Sequence, residues 1–490
     1  MRSTVAAVGI VLAIAAGDVP PGGPRATAAV DAQRPNIVFV LTDDLTLNLL
    51  DYMPNVRAMQ QEGTTFSNYF VAASLCCPSR SSIFTGKFPH HTGVLTNYAP
   101  EGGYERFDEL QNDAHTFALA LQRAGYQTAM LGKYLNGYEP AQHGVPQGWN
   151  EWDVAGRGYP EFNYLLNRNG SIHHHDTDER SYLTDVLGRI ADEFIRQAGS
   201  RPFFIEIATF SPHRPFVPAP RDRHRFPGLT APRTPAFAER PDSEAPAWLK
   251  AIPRLRRADV IEINHEYRMR AQSVLAIDSM IGQLRRTLAD LGIDRRTYVV
   301  FSSDNGFHMG EYSLRPGKMT PFDTDVRVPL IMVGPGVPKG VVLSQIVQNV
   351  DLAPTFAEVA GASAPLEPDG HSVLELLRNP SAARVVASRS RRAALIEHHH
   401  PGEKPTDPDA PGRHSANPPA YGALRAATFL YVEYEDGDVS YYDLTRDPFE
   451  LKNVASTLSP DRLARLHSAL QANMVCKGAR ACWDAARRSP

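Results

Sequence analysis

The chain has 490 residues and a formal charge of -3 at neutral pH, enough length for a sizeable core in one large domain plus a smaller one. So small a net charge argues against nucleic-acid partners and against electrostatic binding to a membrane surface. Its 40 prolines exceed the usual share of about 5 %, and those between Pro212 and Pro253 predict a long irregular segment.

Arg2, the apolar run Val5 to Ala16 and the small-residue site Ala26-Thr27-Ala28 read as an export signal over residues 1–28, against the alternative of a retained N-terminal helix. The expected location is outside the cytoplasm: secreted, periplasmic or cell-surface. The apolar run is shorter than the roughly 20 residues a bilayer span needs, and no longer one follows, so no membrane span is expected.

From residue 35 the chain alternates strands and helices. Asn36 to Leu41 is a continuous apolar run ending in Thr42-Asp43-Asp44, the pattern of a buried parallel strand. Leu75-Cys76-Cys77-Pro78-Ser79-Arg80 and Thr85-Gly86-Lys87 follow. Pro78 suits a first helical position, which predicts a helix over Ser79 to Phe84 with its N-terminus towards Cys76. His115 to Ala124 reads as a helix. Gln127 to Leu131 is a second apolar run, leading to Gly132-Lys133. Asp185 to Gln197 reads as a helix, and Phe203 to Thr209 is a third run, leading to Ser211-Pro212-His213. Val274, Ile277, Ile281, Leu284, Leu288 and Leu291 mark an amphipathic helix. Tyr298 to Ser303 is a fourth run, ending in Asp304-Asn305-Gly306, and Arg315-Pro316-Gly317-Lys318 is a loop. Four strands thus hand polar clusters to loops, and in open α/β sheets ligands bind beyond the carboxyl ends of strands.

Asp351 reads as a helix cap. The Arg-rich stretch Pro380 to Arg392 reads as a linker or domain edge. Beyond it, Ala393 to Glu397, Ala423 to Tyr434 and Val439 to Tyr442 read as strands, the last two joined by the Glu435-Asp436-Gly437-Asp438 turn. Ser459 to Ala472 reads as a closing helix. Pro401 to Pro419 carries no obvious chemistry, and the triplets His173 to His175 and His398 to His400 read as loop residues. Cys476 and Cys482 are either a small-loop disulfide or two free thiols.

Adjacent carboxylates at Asp43 and Asp44 repel and call for something positive between them. Taken alone they are an ordinary turn. With Asp304 and Asn305 they make four oxygen ligands, which leans towards Ca²⁺ over Mg²⁺, since Mg²⁺ keeps more of its water. No Cys/His ligand cluster suggests structural zinc. Arg80 adds a fixed positive charge. Lys133, Lys318, His213 and His308 would each be unremarkable surface residues in isolation.

The motif Cys76-x-Pro78-Ser79-Arg80 with Thr85-Gly86 resembles the signature of the type I sulfatases. The ordered series Asp43-Asp44, Gly132-Lys133, Pro212-His213, Asp304-Asn305-Gly306 and Lys318 extends that resemblance, and Tyr442-Asp443-Leu444 with Asp447-Pro448 and Asn453 carries it to the C-terminal region. Leu75 to Arg80, Gly132-Lys133-Tyr134-Leu135-Asn136 and His308 are similar to the N-acetylglucosamine-6-sulfatases and the extracellular 6-O-endosulfatases. The basic low-complexity domain of the endosulfatases is missing, so a small or exo-cleaved substrate is expected.

The resemblance implies an α/β fold of the alkaline-phosphatase-like sandwich type: a large mixed, mostly parallel sheet flanked by helices over 35–385, plus a smaller α+β subdomain with an antiparallel sheet over 386–490. It implies a formylglycine made from Cys76 by a formylglycine-generating enzyme. It also implies a Ca²⁺ held by Asp43, Asp44, Asp304, Asn305 and residue 76, with Arg80 supporting the formylglycine hydrate. Lys133, Lys318 and His213 would bind the sulfate of a sulfated small molecule or carbohydrate, and one of them would protonate the leaving group. Many family members place a histidine, the final base, two residues after the lysine at 133. Here Leu135 stands there, leaving Asn136 and His308 as candidates. The alternatives are a phosphodiester or phosphonate hydrolase of the same superfamily, and a non-catalytic Ca²⁺-stabilised binding protein with unmodified Cys76.

Overall fold

Every residue of Asn36–Thr42 (β1) is buried, and the strand is flanked on both sides by parallel neighbours, which is why it lacks the polar alternation of a half-exposed strand. The computed structural model describes residues 34–363, 367–378, 391–400 and 407–488. The export signal, and the linker up to residue 390, lie outside the described residues.

The other strands are β2 (Thr64–Phe66), β3 (Tyr69–Phe70), β4 (Gln127–Lys133), β5 (Glu151–Ala155), β6 (Tyr164–Arg168), β7 (Ser171–His175), β8 (Phe203–Ala208), β9 (Thr297–Ser303), β10 (Leu330–Val333), β11 (Val341–Leu343), β12 (Val347–Gln348), β13 (Ala393–His398), β14 (Tyr421–Ala426), β15 (Phe429–Tyr434) and β16 (Val439–Asp443). Ten form one mixed sheet in the order β11-β2-β10-β9-β1-β8-β4-β5-β6-β7. Strands β9, β1, β8, β4 and β5 are mutually parallel, and the antiparallel pairs lie outside them. The four apolar runs found in the sequence are therefore four consecutive central strands, and their carboxyl ends open at one edge.

Side chains alternate across β1 and sort the helices between two faces. Ile37, Phe39 and Leu41 pack with Phe84, Phe117 and Phe356, from the helices Cys76–Thr85, Phe117–Arg123 and Leu352–Ala360. Val38 and Val40 pack with Leu187, Ile190, Val274 and Ile277, from the helices Leu183–Gln197 and Arg257–Asp290. Phe84, on the helix that carries Cys76, stands in ring contact with Phe117, and Phe117, Phe204 and Phe356 contact one another. Burying each such ring contributes up to about 3 kcal/mol, so that helix rests on a stiff floor.

Several expectations shift. The helix at Cys76 begins two residues before Pro78, which sits within the first turn, where the missing N–H costs nothing. It ends at Gly86, in the left-handed region at φ 71°. The amphipathic helix around Val274 begins at Arg257 and runs for 34 residues. Asp351 precedes its helix but does not cap it with its side chain; the carboxylate instead takes Arg391 and the Gln348 N–H. His173 to His175 lie in the edge strand β7, not in a loop, and His398 ends β13. The stretch Ala423 to Tyr434 is two strands, β14 and β15, so the C-terminal sheet has four strands in the order β13-β14-β15-β16. Ser459 caps the helix Pro460–Met474, and a further helix, Ala479–Arg488, follows. Cys476 and Cys482 are disulfide-bonded.

Candidate active site

Four strand ends and one helix N-terminus converge. Asp43 and Asp44 follow β1, Lys133 ends β4, His213 lies in the turn after β8, and Asp304 and Asn305 follow β9. Two close backbone approaches make this possible. A Cβ on Gly306 would lie 2.2 Å from the Thr324 carbonyl oxygen, and one on Gly132, at φ 92°, would lie 2.0 Å from that of Ala208. Asp44 itself sits in the left-handed region at φ 63°, a conformation that a non-glycine residue holds only against strain.

Cys76 is fully buried at the centre. Its thiol donates to Asp43 Oδ1 at 3.2 Å, and Lys318 Nζ lies 2.9 Å from its Sγ. Burial, with the carboxylates of Asp409 and Asp43 adding to it, pushes the thiol well above its ordinary pKa. Unmodified Cys76 is therefore a protonated thiol at neutral pH and a weak nucleophile.

The cations are tied to the carboxylates. Lys133 Nζ pairs with Asp43, and Lys318 Nζ donates to Asp44 Oδ1 at 2.7 Å. Burial alone would discharge both amines, but Asp43 beside Lys133, and Asp409 with Asp44 beside Lys318, raise both well above the usual lysine value. Arg80 Nε donates to Asp304 Oδ2 at 2.8 Å and its Nη1 to the Lys133 carbonyl at 2.9 Å, joining the ends of β9 and β4. His213 donates from Nδ1 to the Arg214 carbonyl and from Nε2 to Asp409 Oδ1. With two acceptors the ring carries both protons. Burial opposes that charge and the Asp409, Asp44 and Asp43 carboxylates outweigh it.

Ligand atoms of Asp43, Asp44, Cys76 and His213 lie within 4.8 Å of one another. Asp44 Oδ2 and Asn305 Oδ1 are buried without a hydrogen-bond partner among the described residues. Two orphaned oxygen acceptors beside a carboxylate pair fit a hard cation. The oxygens of Asp304 are already engaged, Oδ2 by Arg80 and Oδ1 by the N–H groups of Asp44 and Asn305.

His308 stands apart from this group. Its Nδ1 donates to Asp325 at 3.0 Å and its Nε2 to the Ser415 carbonyl at 2.7 Å, so neither nitrogen is left to accept a proton. Its backbone pairs with Gly317, which precedes Lys318. Asn136 does reach the site, through Nδ2, but an amide has no basic nitrogen.

Sequence reasoning missed Asp409. Its Oδ1 lies 2.6 Å from Lys318 Nζ, accepts a hydrogen bond from His213 Nε2 and sits 3.7 Å from Cys76 Sγ. Its Oδ2 accepts from Asn97 at 3.0 Å and from Asn136 at 2.8 Å. Lys318, His213 and Lys133 hold this carboxyl well below the usual range despite its burial. Nothing local in Pro408-Asp409-Ala410-Pro411 signals a partner 333 positions away. Next to the cluster, Lys133, Tyr98, Tyr138, Tyr159, Arg157 and Glu139 border a cavity of about 480 Å³.

The Sulfatase family model matches residues 35–362, and a model described as N-sulphoglucosamine sulphohydrolase, C-terminal, matches 310–475. The N-acetylglucosamine-6-sulfatase of Homo sapiens is 32 % identical over 482 residues, covering 92 % of this chain and 86 % of the relative. A putative extracellular sulfatase Sulf-1 homolog of Caenorhabditis elegans is 36 % identical over 361 residues, covering 71 % of this chain and 50 % of the relative. A solved structure in complex with its substrate D-glucosamine-2-N,6-O-disulfate superposes with a TM-score of 0.74 at 24 % identity, covering 89 % of this chain and 97 % of that one.

Proposed function

The chain belongs to the sulfatase family, the hydrolases of sulfate esters, and from that premise we propose that it removes sulfate from a small sulfated carbohydrate of the glucosamine 6-sulfate kind, using a formylglycine made from Cys76 and a bound Ca²⁺. The observation that carries this reading is the buried group of Cys76, Asp43, Asp44, Lys133, Lys318 and His213 gathered at the ends of the parallel strands. The reading includes export, maturation by a formylglycine-generating enzyme, and division into a catalytic part over 35–385 and a C-terminal part over 386–490. Among the described residues no helix is long and apolar enough to cross a membrane.

Asp43, Asp44 and Asn305, backed by Asp304, would hold the cation, with residue 76 beside them. When bound, Ca²⁺ polarises a sulfate oxygen and the formylglycine hydrate supplies the attacking hydroxyl. The rest falls to side chains. With Asp43 and Asp44 neutralised by a cation, Lys133 and Lys318 are free to meet sulfate oxygens, where charge develops as the ester bond breaks. His213, doubly protonated and buried, would give the Nε2 proton to the leaving oxygen as its bond to sulfur breaks, and the then neutral imidazole would accept at the same atom the proton that the residue 76 hydrate gives up as sulfate departs. Arg80 keeps Asp304 and the Lys133 backbone in place. The two bonds His308 makes support a structural post behind Lys318 in place of the base role.

The test is peptide mass spectrometry across residues 75–80 of protein matured with a formylglycine-generating enzyme. It is combined with sulfate release from glucosamine 6-sulfate, measured beside an aryl phosphodiester and an aryl phosphonate. Formylglycine at 76 with preferred sulfate release is the expected outcome. An unmodified cysteine in active protein, or a preference for the phosphorus esters, would overturn the proposal.

A further inference from the structure

An attacking group on residue 76 needs its electrophile about 3–3.5 Å away. That place is taken: Asp409 Oδ1 lies 3.7 Å from Cys76 Sγ. The carboxylate is enclosed by donors on both oxygens, Lys318 Nζ and His213 Nε2 on Oδ1, and the amides of Asn97 and Asn136 on Oδ2. Asn97 is oriented for this by its own Oδ1, which accepts the Cys77 N–H at 2.9 Å. Two cations and two amides around one anion are what a sulfate monoester, also singly charged, requires.

We propose that the Asp409 carboxylate is an internal occupant of the sulfate site, that Asn97 and Asn136 join Lys318 and His213 as donors to the substrate's sulfate, and that residues 407–412 leave when sulfate enters. This rests on the sulfatase reading of the same site. The segment is built to leave. The backbone bonds shown for 407–412 are local, from Ala410 N to Asp407 O and from Ser415 N to Gly412 O, so departure breaks none to the body of the molecule among the described residues. Its downstream end is anchored where the His414 and Ser415 carbonyls accept from Arg315 and His308. Pro408 borders the cavity of about 480 Å³ beside Lys133 and also the crevice along Lys318 and Gly317, so the segment lines both. A bound sulfate and a seated Asp409 exclude each other, because both need the same four donors and a second buried anion there would be unpaired.

The experiment uses inorganic sulfate and the full chain with residue 76 unmodified, with and without calcium, so it does not depend on turnover. Calorimetry of Asp409→Asn against wild type should show sulfate binding at least about tenfold tighter, since the tethered competitor's charge-assisted bonds are weakened. Hydrogen exchange of wild type should show the amides of 407–412 exchanging faster at saturating sulfate. Unchanged or weaker sulfate binding by Asp409→Asn would overturn the proposal and make Asp409 a positioning residue for His213. Tighter binding with no release of 407–412 in wild type would overturn it as well, leaving only a change in local charge. If Asp409→Asn does not fold, the wild-type exchange measurement decides alone. Release of the segment in a protein that shows no sulfatase activity after maturation would overturn the functional reading, and with it the assignment of Asn97 and Asn136 as donors to a substrate's sulfate, leaving only the displacement of Asp409 by the sulfate anion.

Discussion

Two buried polar clusters lie close in the chain and differ in how well they are satisfied. Around His308, Asp325 receives His308 Nδ1, the Thr320 N–H and the Thr320 hydroxyl, while Ser415 takes His308 Nε2. Every hydrogen-bonding position of that imidazole is used. Around Cys76, by contrast, Asp44 Oδ2, Asn305 Oδ1, Asn136 Oδ1 and Arg80 Nη2 are buried without hydrogen-bond partners among the described residues, and both lysines are held on carboxylates that a cation would claim. A satisfied cluster is structure, whereas a cluster of strong charges with orphaned acceptors is a site prepared for something it must still receive. Both clusters pair a histidine with an aspartate, and they differ in the atoms left unpaired.

The largest contrast should come from Cys76→Ala, which should lower turnover by at least about 10⁴-fold while the melting temperature holds near wild type. Substantial residual turnover would place the chemistry elsewhere. Lys318→Ala and Lys133→Ala should each cut kcat/KM by about 10²–10³-fold, as loss of a charged donor at the transition state does. A change in KM alone would reduce them to ground-state binders. Stripping divalent ions should lower both activity and Tm, and calcium should restore both, because a ligand that binds only the folded state stabilises it. Restoration by magnesium but not calcium would reverse the metal assignment.

His308→Ala should act in the opposite manner, costing about 3 kcal/mol of stability by stranding Asp325, with turnover per folded molecule falling much less than for the lysines. Denaturant unfolding beside single-turnover rates separates the two, and a lysine-sized rate loss would erase the contrast between the clusters. The smallest effect on turnover concerns Glu206, in the middle of β8, whose two oxygens are buried without hydrogen-bond partners among the described residues and whose carboxyl is pushed from 4.5 up to about 8 by burial, against the pull of Arg80. A folded-state pKa above the unfolded one means that the folded chain binds the extra proton. Stability should therefore fall as pH rises from about 4.5 to about 8. Glu206→Gln should flatten that slope in a pH series of Tm values, and an unchanged slope would assign it to other groups.

Much was legible because its causes are local. A continuous apolar run ending in polar residues is a statement about a strand buried on both faces, and four of these runs became the four central strands β9, β1, β8 and β4. Their ends carried Asp43, Asp44, Asp304, Asn305, Lys133 and His213 to one edge because parallel strands point their carboxyl ends the same way. The disulfide was one of two readings the sequence left open, and the distance between two chain segments chose it. What only the tertiary structure decided was pairing. His308 follows the Asp304-Asn305 pair by a few residues, yet Asp325 and the Ser415 carbonyl take both of its ring nitrogens. His173 to His175 have a polar loop's composition, and form a strand because β6 offers an open edge. Asp409 sits in a proline-rich stretch with no local pattern at all, and it matters because Lys318, His213, Asn97 and Asn136, each unexceptional alone, surround its carboxylate. Periodicity and strand-end chemistry are written within a few residues of themselves. Which charge neutralises which depends on separations of hundreds of residues, and burial settles that choice only once the chain is folded.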